Sequence, residues 1–92
     1  MKWMEVIKLR TAENNLEFME PLLRKLMVEN GNTGGMEEIK MYRNALLDHD
    51  ACIHIHWASQ RAEPQGSATG LCMVHILKDF GMVSHSVWLE GN

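Results

Sequence analysis

The sequence predicts an α+β domain of ferredoxin-like order, β-α-β-β-α-β, with a four-stranded antiparallel sheet and both helices on one face. Three observations predict it. The chain has 92 residues, enough for one domain spanning 1–92, and at that length it buries only about 60–65% of its unfolded surface. Four stretches alternate in polarity with the period of two that a strand imposes. Two others carry apolar residues at helical spacing, and right-handed crossovers put both helices over the same sheet face.

The first strand runs from Trp3 to Arg10. Trp3, Glu5, Ile7 and Leu9 alternate with Met4, Val6 and Lys8, so apolar residues lie on both faces, as in a strand central to its sheet. Thr11, Asn14 and Asn15 each offer an N-cap for the helix that follows. Its stripe is Leu16, Met19, Leu23, Leu26 and Met27, with Glu17, Glu20, Arg24 and Lys25 largely opposite. Pro21 either kinks this helix or marks the first turn of its main segment; Gly31 stops it. Asn30–Gly35 is loop chemistry. The second strand, Glu38–Leu47, sets Ile39, Met41, Arg43 and Ala45 against Lys40, Tyr42, Asn44 and Leu46. Asp48-His49-Asp50 then turns it into a hairpin with Ala51–Ser59. Gln60–Gly66, holding Pro64, is a polar loop. Ser67 caps the second helix, whose stripe is Cys72, Met73, Ile76, Leu77 and Phe80 and which Gly81 ends. In the last strand, Met82–Glu90, Val83, His85, Val87 and Leu89 share one face; Ser84, Ser86 and Trp88 share the other.

The third strand is the distinctive stretch. Ile53, Ile55 and Trp57 fall on a core face, while Cys52, His54 and His56 fall on the other. With both helices covering the first face, the second is left bare, together with apolar residues of the first strand. Bare apolar sheet is not left in water, so the pattern predicts a homodimer that packs two such faces together around a partly polar cavity for a small molecule.

Composition excludes several classes. A net charge of −3 without a basic stripe predicts no nucleic-acid partner. No apolar run approaches the roughly 18 residues of a membrane span, and there is no signal-peptide pattern; the expected location is cytoplasmic, with no membrane partner. Cys52 and Cys72 form no Cys-x-x-Cys pair and read as buried thiols. Gly34-Gly35 has neither the lysine of a phosphate loop nor the spacing of a dinucleotide fingerprint, and no Gly-x-Ser-x-Gly elbow occurs. No cofactor is therefore expected.

His54 and His56 carry the candidate chemistry. Two residues apart on a strand, their rings point the same way with Cα atoms about 6.5–7 Å apart. Near neutral pH an imidazole accepts and returns protons, so both are candidate catalytic groups. Cys52, Trp57, Met4 and Val6 are expected to line the pocket, with His85 a further contact. The same His-x-His spacing also suits a metal ion, for which His85 or Glu5 would have to supply a third ligand; equally, the two rings could simply be hydrogen-bonded within a dimer interface. His75 falls off the helical stripe and reads as solvated. Trp57 could roof a pocket against the Gln60–Gly66 loop.

In size, element order and the segment Cys52-Ile53-His54-Ile55-His56-Trp57-Ala58-Ser59, the chain resembles the dimeric α+β barrel superfamily, and most of all its antibiotic biosynthesis monooxygenase group. In that family this strand ends in tryptophan followed by a small or polar residue. The resemblance implies a homodimer enclosing cavities and a cofactor-independent monooxygenase acting on a small aromatic or quinol-type compound, whose deprotonated form reacts with oxygen. In many relatives a short helix leading to a histidine follows the tryptophan at once. Here Ser59–Ser67 intervenes, so Trp57 carries over and His75 only loosely. Two other readings stay open: a non-catalytic small-molecule-binding or regulatory module of the same fold, and a metal- or haem-binding protein.

Overall fold

The computed structural model describes residues 1–11, 16–31, 34–47 and 49–91. The element order is β1 (Lys2–Thr11), α1 (Leu16–Asn30), β2 (Met36–Arg43), β3 (Asp50–Ala58), α2 (Ala68–Leu77) and β4 (Gly81–Leu89). All pairings are antiparallel, in the order β2-β3-β1-β4. The strand with apolar residues on both sides, β1, is central, as its pattern requires.

Register sorts the side chains into two faces. Glu5 lies between Ile55 and Val87, and Ile7 between Ile53 and His85. Met4 lies between His56 and Trp88, and Val6 between His54 and Ser86. Both helices pack on the first of these faces. Met19, Leu23 and Leu26 of α1 and Met73, Val74 and Leu77 of α2 bury against Trp3, Ile7, Leu9, Ile53, Ile55 and Trp57. Trp3 and Trp57 pair across the strands and stack, with centroids 5.5 Å apart. Among the described residues, the second face carries no helix.

Two boundaries differ from the sequence expectation by more than two residues, the ends of β2 and of α2. β2 stops at Arg43 because the Asn44 side chain forms its own turn, Oδ1 accepting from the N–H groups of Leu46 at 2.8 Å and Leu47 at 3.0 Å. A side-chain oxygen that supplies a turn's hydrogen bonds competes with the ladder, so Ala45–Leu47 leave the sheet and Leu46 is exposed. α2 stops at Leu77, and Gly81 opens β4 rather than ending a helix. The buried side of α2 is Thr69, Gly70, Met73, Val74 and Leu77, while Cys72 and Phe80 are exposed. The i, i+4 rows 69-73-77 and 70-74 form that face, leaving Cys72 about 100° away from Met73. Pro21 lies inside α1. Asn14, Asn15, Asn32, Thr33 and Asp48 lie outside the described residues. Among the described residues, no helix is long and apolar enough to cross a membrane.

Ile55 is fully buried in the middle of this core, so Ile55→Ala is expected to cost about 2–5 kcal/mol. Leu46→Ala, in the exposed turn, is expected to stay within about 0.5 kcal/mol. Urea unfolding of the two variants measures the contrast.

Candidate functional site

An acid stands in the row of β1 that faces the helices. Glu5 shares that row with Trp3, Ile7 and Leu9 and is 0% exposed. An isolated carboxylate there would carry a desolvation penalty of several kcal/mol. The structure meets this with a hydrogen bond for every lone pair. Oε1 accepts from the Ser67 backbone N–H at 2.9 Å and faces His85 Nε2 at 2.8 Å. Oε2 accepts from the Trp57 indole N–H at 2.8 Å and from the Ser67 hydroxyl at 2.5 Å. With the carboxylate as acceptor, His85 holds its proton on Nε2, and in the neutral ring the lone pair falls on Nδ1.

Each partner is delivered by a different element. Trp57 comes from β3 and His85 from β4; Ser67 comes from the N-cap of α2, where its Oγ also accepts from the Gly70 N–H at 2.9 Å. Two glycines give the carboxylate room. Gly66 adopts φ +106, and a Cβ there would overlap the His85 ring; a Cβ on Gly70 would overlap the Glu5 carboxylate. The loop ending at Gly66 also walls a cavity of about 440 Å³ with Val87 and Leu89, which continue the β4 row that contains His85. The His85 side chain keeps 13% of its surface exposed while Glu5 keeps none. Of the two, the imidazole is therefore the member of the pair nearer to solvent.

The opposite face holds Cys52, His54 and His56, each half-buried. The two imidazoles stand edge-on with centroids 6.4 Å apart, and Tyr42 of β2 tilts over His54 at 4.7 Å. Cys52 Sγ lies 3.6 Å from His54 Nε2. Burial, then the neighbouring His56 and Lys8, hold His54 below the usual histidine range. Burial pushes the Cys52 thiol up, against the opposing pull of Lys8, which keeps it a neutral thiol rather than a nucleophile. A groove of about 360 Å³ joins His56, Met4 and Trp88 at one end of this face.

The expected pocket residues thus divide between two sides of the sheet. Cys52, His54, His56, Met4 and Val6 come together on the uncovered face. His85 and Trp57 do not join them; both point toward the helices and meet at Glu5. The period of two along β3 and β4, with the antiparallel register, fixes this division. It also corrects the expectation that His85 or Glu5 could complete a metal site with His54 and His56. Among the described residues, no three His, Cys, Asp or Glu side chains come together as metal ligands. His75 is exposed on α2, and Cys72, expected to be buried, is exposed as well. Strand periodicity alone does not anticipate the carboxylate network, although its signal is present: an acid in register with Trp3, Ile7 and Leu9.

The ferredoxin-like α+β fold of this chain is shared by several solved structures. Solved structures with the same fold include Rv0793 from Mycobacterium tuberculosis, at 14% identity and TM-score 0.76, covering 100% of this chain and 97% of that one. SnoaB, a cofactor-independent oxygenase from Streptomyces nogalater, matches at 13% identity and TM-score 0.74, covering 99% and 94%. A conserved protein from Methanosarcina mazei Go1 matches at 12% identity and TM-score 0.78, covering 99% and 94%. No protein-family model and no curated protein matches the sequence.

Two outcomes test this account. Glu5→Gln swaps an acceptor for a donor facing two donors and is expected to lower stability by about 1–3 kcal/mol in urea unfolding. On the other face, a histidine held below its usual range binds fewer protons folded than unfolded, so stability falls as pH drops below about 6.5. His54→Gln is expected to shrink that loss, read as the melting temperature across an acid series.

Proposed function

We propose that the protein is a cofactor-independent monooxygenase-like enzyme acting on a small aromatic or quinol-type compound. The observation that carries this reading is the imidazole of His85, fixed by the buried Glu5 carboxylate on the β4 row whose Val87 and Leu89 wall a cavity with the loop after β3. The fold shared with SnoaB, a cofactor-independent oxygenase, supports it.

In this reading His85 Nδ1 takes a proton from the substrate hydroxyl. Glu5 keeps the ring in the required tautomer and stabilises the imidazolium that forms. Loss of the proton turns the quinol into an electron-rich anion that can pass electrons to O₂. One oxygen atom enters the product, giving a hydroxyquinone, and the other leaves as water. The substrate supplies all the electrons. Pro64, Val87 and Leu89 give the cavity apolar walls, which favour a flat hydrophobic ligand and keep bulk water from the reactive anion.

A second reading places the base on the other face. His54 and His56 share a sheet face with Met4, Val6 and Trp88, and Trp88 is 59% exposed in the single chain. A homodimer that packs two of these faces together would cover Trp88 and enclose both imidazoles in a cavity between the copies.

Oxygen uptake with a panel of phenols and quinols tests both readings. His85→Ala is expected to lower the rate by about 10²–10⁴-fold, with His54→Ala and His56→Ala close to wild type. The reverse pattern would move the chemistry to the dimer face. A melting temperature raised by these compounds without oxygen uptake would replace catalysis with binding alone. Light scattering is expected to give the mass of a dimer.

A further inference from the structure

We propose that Cys52 and His54, side by side on the uncovered sheet face, form a binding site for a soft monovalent metal ion of the Cu(I) class. The two residues are two apart on β3, so their side chains project from the same face. Cys52 Sγ lies 3.6 Å from His54 Nε2. Bonds of about 2.3 Å to sulfur and about 2.0 Å to nitrogen can both be made from atoms at that separation, with the ion off the line between them. Tyr42 tilts over the His54 ring with centroids 4.7 Å apart, bounding the imidazole on the β2 side. Cys52 also lines a cavity of about 420 Å³, which gives an ion a path to the sulfur.

Ligand number and charge select the ion. Zinc takes four protein ligands in a structural site and three in a catalytic one. Among the described residues, no three His, Cys, Asp or Glu side chains come together. A thiolate with an imidazole is instead a soft pair, of the kind that selects Cu(I). Lys8 pairs with Cys52 across β1 and β3, and its charge bears on both Cys52 and His54. A thiolate bound to a monovalent ion is neutral and meets no repulsion from that ammonium; a divalent ion would leave a positive charge beside it. Lys40, next to His54 in register, is paired with Glu38 at 3.0 Å.

The binding step balances simply. The His54 ring binds through its neutral form. The Cys52 thiol gives its proton to solvent as the metal–sulfur bond forms, and the ion keeps its oxidation state. The site uses neither Glu5 nor His85 and stands apart from the oxygenase reading. Both ligands belong to one chain, so it does not depend on a second copy.

Anaerobic titration of the Cys72→Ser protein with Cu(I), in competition with the chromophoric chelator bicinchoninate, tests the proposal. That substitution removes the exposed thiol of Cys72, which would otherwise take up copper by itself. One ion per chain is expected, with an ultraviolet thiolate-to-copper band and a shifted His54 Nε2 resonance in nitrogen spectra of the imidazoles. In the same background, Cys52→Ser is expected to abolish the band. His54→Gln is expected to weaken binding at least about tenfold, the low end of what losing even an outer-shell partner costs, while His56→Gln leaves it unchanged. Cys52 and His54 are both half-buried, and the dispersion of amide spectra shows that the variants are folded. Undiminished affinity in His54→Gln, or an unmoved His54 resonance, would reduce the contact to a hydrogen bond between thiol and imidazole and overturn the site. So would half an ion per chain, an equal loss in His56→Gln, or saturation by Zn²⁺ at a lower free concentration than by Cu(I).

Discussion

The burial of the Glu5 carboxylate is the constraint from which the arrangement around it follows. A charged group at the centre of a 92-residue domain is tolerated only when its lone pairs are met by fixed donors. The donors here come from β3, from the start of α2 and from β4. The carboxylate therefore joins segments that are distant in sequence, and it dictates where the 60–67 loop must return to the sheet. Gly66 and Gly70 are consequences of that return, because each stands where a methyl group would collide with the network. Ser67 serves two ends at once. Its hydroxyl accepts from Gly70 to start the helix and donates to Glu5, so helix initiation and carboxylate solvation share one side chain.

The same sheet presents two different electrostatic environments. On the helix-facing side, charge is held by hydrogen bonds within a dry core, and water has little access. On the uncovered side, imidazoles, a thiol and the Lys8 ammonium lie on a partly exposed surface. A single residue step along β3 moves between them, from Trp57 at the carboxylate to His56 on the open face. Chemistry assigned to one face cannot borrow a group from the other without breaking register.

Much of the fold is legible in the sequence because strand period and helix period are strong local signals. The order of elements, the central place of β1 and the division of β3 into a core face and an open face all follow from alternation. The boundaries that differ are set by side-chain hydrogen bonds: Asn44 ends β2 through its own oxygen, something polarity alternation does not report. The stripe of α2 differs for another reason. A helix apolar on most sides gives little indication of which side is buried, and Cys72 and Phe80 look as suitable as Thr69 and Gly70. At the site, His54 and His56 are visible as a pair because they are neighbours in sequence. The Glu5–His85 contact joins the two ends of the chain, and no local spacing encodes it. What the sequence does offer is the anomaly of an acid in an apolar row.

That difference bears on which face is equipped for proton transfer. A general base works best when its tautomer is fixed, its charged form is compensated and water is kept out. His85 meets the first two conditions within a single chain, because Glu5 holds Nε2 and lies ready to offset an imidazolium; the ring is largely shielded as well. No carboxylate bonds to His54 or His56 among the described residues, and His56 makes His54 harder to protonate. The pair becomes dry only if a second copy covers it, and the added burial would make an imidazolium there costlier still. The open face is therefore poorly suited to holding a proton. The helix-facing pair is the arrangement that can accept one.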